Sequence, residues 1–168
     1  LVITAPPERN KCPILSKYKT EIKKSNIRAI VYVSSTGVYG DHKGKWVNEN
    51  SSLLGINNVT NKNRIKAENS WKNFCKQNLL ICNIVRLGGI YGPGRLKASE
   101  NTFKNIIIKE DHFFSRIHVL DSSRLIVNIL LNSSKDGCWN LVDDLPTTRK
   151  NFMERIIELK KVKNYNFK

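Results

Sequence analysis

Residues 28–34 read RAIVYVS. The run is almost continuously apolar and rich in β-branched side chains, with no polar alternation. That pattern belongs to a strand buried on both faces of a parallel sheet. Residues 79–87, LLICNIVRL, repeat it. Leu1–Thr4 is a shorter version ended by Pro6-Pro7, Arg116–Val119 is a brief one, and CWNLV at 138–142 is the last. Helical periods fill the gaps. Pro13 suits a first helical turn, and Ile14, Tyr18 and Ile22 follow at i, i+4 and i+8. Residues 61–76 set Ala67, Trp71, Phe74 and Cys75 on one face. Asp121 is positioned to cap a helix carrying Leu125, Ile126, Ile129 and Leu130. Thr147 or Thr148 caps a final helix with Phe152, Ile156 and Leu159 on one face, and Lys160 and Lys161 near its end complement the dipole. Strands alternating with helices predict an α/β fold with a parallel sheet.

Composition bounds the rest. The 168 residues suit one domain. Mean hydropathy is −0.40, and no apolar run approaches the roughly 20 residues of a membrane span. No signal-peptide pattern opens the chain. It starts without Met and in mid-strand, which suggests the rear portion of a longer protein. The formal net charge is +15. Residues 1–84 carry 14 basic and 5 acidic side chains, and residues 85–168 carry 15 and 9, so no basic arm stands out. A solvated basic surface accounts for this better than a nucleic-acid footprint, and no nucleic-acid-binding signature accompanies it. A basic nucleic-acid-binding domain stays as the most remote alternative. The four cysteines lack metal-ligand spacing, so no metal is expected, and free thiols fit a reducing, cytoplasmic setting.

Two motifs carry a resemblance. VYVSSTGVYG at 31–40 and RLGGIYGPG at 86–94 are similar to segments of the extended short-chain dehydrogenase/reductase superfamily, the NAD-dependent epimerase/dehydratase type, and especially to an atypical branch of it. Glu49 in WVNENS, RIHVLD at 116–121 and CWNLVD at 138–143 follow in the family's order. The resemblance spans residues 1 to about 160. It implies the C-terminal part of a Rossmann-type doubly wound sheet, a single partial NAD(P)-binding domain over 1–168, and a small substrate lobe at about 95–118. It also implies a small-molecule substrate such as a nucleotide sugar, with a homodimer as the assembly the family suggests and no membrane partner.

The resemblance assigns residues as well. Ser35 falls at the catalytic serine. The family's tyrosine, lysine and glutamate, spaced four apart, fall on Thr60, Arg64 and Glu68. A phenol beside a lysine can exchange a proton near neutral pH; an aliphatic hydroxyl cannot. Thr60 therefore implies a catalytically degenerate member, while Arg64 keeps a charge able to hold a ribose or phosphate. If active, such a protein is an epimerase, dehydratase or reductase. If inactive, it is a redox-sensing or scaffold module of the same fold. Thr4, Ala5, Pro6, Ser34, Arg64, Leu87, Gly88 and Gly89 are the implied NAD or NADP contacts. Thr36, Tyr39, Arg95 and His118 are the implied substrate contacts. The Gly-rich turn that cradles a dinucleotide pyrophosphate does not occur in these 168 residues.

Overall fold

The computed structural model describes residues 1–8, 11–95 and 113–160. Its elements are β1 (Val2–Ile3), α1 (Pro13–Lys24), β2 (Ala29–Ser35), α2 (Val59–Gln77), β3 (Ile81–Leu87), β4 (Gly89–Tyr91), β5 (Phe113–Phe114), β6 (Arg116–His118), α3 (Val119–Asn132), β7 (Gly137–Leu141), β8 (Thr147–Thr148) and α4 (Arg149–Lys160). Strands β1, β2, β3 and β7 form one sheet in that order, and every pairing is parallel. Two small ribbons, β4 with β6 and β5 with β8, complete the strands among the described residues.

The period of two along each strand divides the core. Ile30, Tyr32, Cys82 and Ile84 face one side, where Cys12, Ile22, Trp71, Phe74 and Cys75 of the α1–α2 layer cover them. Val31, Val85 and Leu87 face the other side and meet Ile117 and Ile129. This is the α/β arrangement with a parallel sheet that the apolar runs predict, doubly wound as the resemblance implies. Trp71 is fully buried and packs edge-on to Phe74 at 5.9 Å between centroids.

Several expectations need correction. In α1, Tyr18 is exposed and sits at a local kink, so Leu15 joins Ile14 and Ile22 on the packed face instead. The α2 helix starts earlier than predicted because Asn58 caps it, its Oδ1 accepting from Asn61 N at 3.1 Å. Strand β3 starts later. Leu79 has a left-handed φ of 56° and stands in solvent, where Leu80 N closes the helix end by donating to the Cys75 carbonyl. His118 caps α3, with Nδ1 accepting from Leu120 N at 3.4 Å; Asp121 lies within the first turn and meets Arg124 in an exposed pair. In α4 it is Met153, Ile156 and Ile157 that are buried, while Leu159 is exposed; Thr148 caps the helix through Asn151 N. Most of the expected lobe at 95–118, and Lys161, lie outside the described residues.

Candidate functional site

Parallel strands deliver their C-terminal ends to one edge of the sheet, where α/β proteins bind ligands. Here β2 ends at Ser35, level with Leu87 of β3, which is level with Leu141 of β7. Ile3 pairs with Tyr32, so Thr4, Ala5 and Pro6 leave the sheet at the same edge. After Ser35 the chain makes a 3-10 turn over Thr36–Tyr39, with Ser35 Oγ accepting from Gly37 N at 3.2 Å. Thr36 donates its hydroxyl to the Leu87 carbonyl at 3.3 Å. Gly40 ends the turn at φ 72°, and a Cβ there would lie 2.6 Å from the Leu54 backbone, so only glycine fits. Beyond Leu87, Gly88 N donates to Leu141 O and Gly89 N to Ser115 O, passing the chain from β3 to β4. The sequence-predicted Thr4, Ala5, Pro6, Ser35, Thr36, Leu87, Gly88 and Gly89 thus share one edge.

Behind that edge lies a buried polar brace. Arg86 and Glu68 form an ion pair at 2.8 Å, and both side chains are almost wholly excluded from solvent. Ser34 donates to Glu68 Oε1 at 2.6 Å. Arg86 Nη1 donates to the Tyr39 phenol at 2.9 Å, and that phenol donates to Asn140 Oδ1 at 2.7 Å. Asn140 N in turn donates to Glu49 Oε1 at 2.7 Å. One network therefore ties β2, the 3-10 turn, the Glu49 loop, α2, β3 and β7 together. Burial opposes the Arg86 charge, yet its hydrogen bonds to Glu68 and Tyr39 and the nearby carboxylate lift its pKa above the usual arginine range. Burial raises the Tyr39 pKa and outweighs the two hydrogen bonds that favour its anion.

This brace revises two expectations. Ser34 is buried and gives its hydroxyl to Glu68, so it does not present that hydroxyl to a ligand. Tyr39 is only 2% exposed with its phenol already bonded, which makes it a strut instead of a substrate-lining group. Glu68 anchors α2, and this fixes what precedes it. Arg64 stands one turn earlier, half-buried, with its charge acting on the Tyr32 phenol; Thr60 stands another turn earlier, exposed. His118 is half-buried at the α3 cap, edge-on to Tyr91 at 5.3 Å, and Arg95 is exposed in the turn after Gly92. The shared edge does not include these two. Sequence reasoning did not give Arg86 and Asn140 their roles. The available signal was a charged residue inside the apolar run LLICNIVRL, because such a residue is buried only when paired. Among the described residues no group of three or more His, Cys, Asp or Glu is arranged to hold a metal ion.

No protein-family model and no curated protein sequence matches the chain. Solved structures do. A functionally unknown conserved protein from Silicibacter pomeroyi DSS is 30% identical over the whole chain, with a TM-score of 0.86, and the chain covers 60% of it. The dTDP-glucose 4,6-dehydratase of Bacillus anthracis str. Ames, solved with NAD, is 21% identical over 83% of the chain and 50% of its own length, with a TM-score of 0.69. The UDP-N-acetylglucosamine 4-epimerase of Bacillus cereus is 16% identical over 99% of the chain and 64% of its own length, with a TM-score of 0.73. The fold is thus the Rossmann-type α/β architecture that these epimerases and dehydratases share. The chain spans between half and two-thirds of the length of these structures.

Proposed function

We propose that this chain supplies the nicotinamide-ribose side of an NAD(P) site in an epimerase/dehydratase-like protein, and that it is catalytically degenerate. The observation that carries the reading is the shared edge. The ends of β1, β2 and β3 converge there, and the Glu68 anchor directs the first turns of α2. On this reading Ser35 and Thr36 face the reacting carbon's side of the pocket, Thr4, Ala5, Pro6 and Leu87–Gly89 border the nicotinamide ribose, and Arg64 holds a ribose or phosphate oxygen. When bound, the nicotinamide would accept or donate hydride. Thr60 has no phenol to move the accompanying proton, so hydroxyl–carbonyl interconversion is slow or absent. Residues 95–118, with Arg95 and His118, contribute to a substrate lobe for a nucleotide-linked or similar small molecule. A cytoplasmic, homodimeric sensor or scaffold of the same fold is the second reading, favoured by Thr60 together with Arg64.

Half-ligands test this directly. Nicotinamide mononucleotide should bind the 168-residue chain weakly, with a Kd on the order of 1 mM, and AMP should not. NAD should gain little over the mononucleotide, because no Gly-rich phosphate turn is present in this sequence. AMP binding as well as nicotinamide mononucleotide would refute the half-site assignment. Turnover across a panel of nucleotide sugars would refute the degeneracy, and Ser35→Ala would then have to lower it.

A further inference from the structure

The α1–α2 layer is charged unlike the layer opposite it. Residues 11–28 carry six basic side chains and one acidic, and residues 59–77 carry five and one. Eleven positive charges against two negative make +9 of the chain's +15. The acidic group in α2 is Glu68, buried and spent on Arg86, so Glu21 is the one carboxylate these two stretches turn to solvent. Both stretches cover the same face of the sheet. On the other face, α3 carries one acidic and one basic side chain, Asp121 and Arg124. The positive field therefore concentrates over one layer.

An open groove runs between α1 and α2. Its volume is about 310 Å³, at the lower end of the range for small-molecule sites. Phe74, buried, and Leu15, half-buried, form an apolar floor, with Trp71 packed edge-on to Phe74. Lys11 and Lys19 are exposed and stand at the rim. Ser16 and Asn73, also exposed, add hydrogen-bonding groups to the walls. No described residue lining the groove is acidic. Glu8 meets Lys11 through backbone hydrogen bonds of 2.8 and 2.7 Å, and its carboxylate does not line the groove.

These features select an occupant. An apolar floor beside two ammonium groups suits a ligand with a short apolar body and an anionic head. A nucleic-acid phosphate backbone would use the charge and leave the floor unfilled. A second copy docked by two-fold symmetry through this layer would bring its own excess of positive charge. We propose that the α1–α2 groove binds a small amphiphilic anion, a carboxylate or a phosphate monoester. Its acyl or aryl body rests on Leu15 and Phe74, and its head lies between Lys11 and Lys19. No residue lining the groove belongs to the strand edge, so the proposal does not rest on nicotinamide-nucleotide binding.

The test titrates the 168-residue protein at constant ionic strength with hexanoate and, separately, with hexyl phosphate. Backbone amide resonances of Ser16 and Asn73 report the groove, and those of Ser35 and Thr36 report the strand edge. One or both amphiphiles should move the groove amides alone, at concentrations about tenfold lower than acetate, inorganic phosphate or hexanol require. The tighter of the two identifies the head group. Lys19→Glu should weaken binding by about tenfold, while Lys150→Glu, the same charge change at an exposed position of α4, should alter it by less than about twofold. Groove amides indifferent to both amphiphiles in the wild-type protein would overturn the proposal, a result that needs no variant to fold. Equal weakening in the two variants would also overturn it, by making binding a property of net charge. A duplex oligonucleotide, or self-association, that moves the groove amides where the amphiphiles do not would assign the layer to nucleic acid or to a second copy instead.

Discussion

Arg86 and Arg116 lie in different sheets of the fold and in opposite surroundings. Arg86 is buried in the block formed by β2, β3 and β7, with Glu68, Tyr39 and the Glu49 carbonyl all accepting from it. Arg116 sits in the β4–β6 ribbon against the Phe114 and Phe152 rings, and among the described residues no carboxylate lies within ion-pair distance of it. A saturated guanidinium can only brace. An unsaturated one still has hydrogen bonds to give. The same side chain is thus a structural strut in one region and carries a buried Nε without a hydrogen-bond partner in the other, and the difference lies in the neighbours.

The largest effect should come from breaking the strut. Glu68→Ala strands the Arg86 charge in the core and should cost about 3–5 kcal/mol of unfolding free energy, read by urea denaturation. Replacing both partners, Glu68→Leu with Arg86→Met, should recover most of that loss, because no charge is then left buried alone. If the double variant is no better than Glu68→Ala, the brace does more than neutralise a charge pair.

Tyr39→Phe should cost about 1–3 kcal/mol, since it removes an acceptor from Arg86 and a donor from Asn140. It should also change the alkaline limb of stability. Burial raises the Tyr39 pKa, so the native state keeps a proton that the unfolded chain releases above about pH 10. Stability contributed by this group is therefore complete below that pH and is lost as pH rises toward the native value. The fall above pH 10 should be shallower in Tyr39→Phe. An unchanged slope would assign the alkaline loss to other groups, with the buried Tyr32 next in line.

Arg116→Met sharpens the contrast from the other side. It gives up stacking on two rings but removes a buried, unpartnered Nε, so the net change should stay within about 1 kcal/mol. A loss as large as that of Glu68→Ala would make Arg116 a second strut. The smallest effect is expected at Leu79, which holds a left-handed φ in full solvent. Leu79→Gly should raise stability by about 1 kcal/mol, read as a higher Tm.

The apolar runs at 28–34 and 79–87 made the parallel sheet legible, because a strand covered on both faces cannot alternate. The 3.6-residue period of α2 likewise exposed its packed face before any coordinates. Cap positions were less legible. Asp121 and His118 both suit a helix start, and only the path of β6 into α3 decides that His118 takes the role. The candidate site was legible in part. Motif order brought Ser35, Thr36 and Leu87–Gly89 to one edge, but nothing in SSTGVYG says that Ser34 and Tyr39 turn inward.

Local pattern thus determined the elements, their burial and the absence of a phenol at position 60, since these depend on residue type and near-neighbour spacing. Tertiary structure alone decided which polar groups are spent and which are free. Hydrogen-bond partners such as Tyr39 and Asn140 are 101 residues apart. No periodicity reaches that far, and a charge is satisfied or left bare only when distant strands are laid side by side.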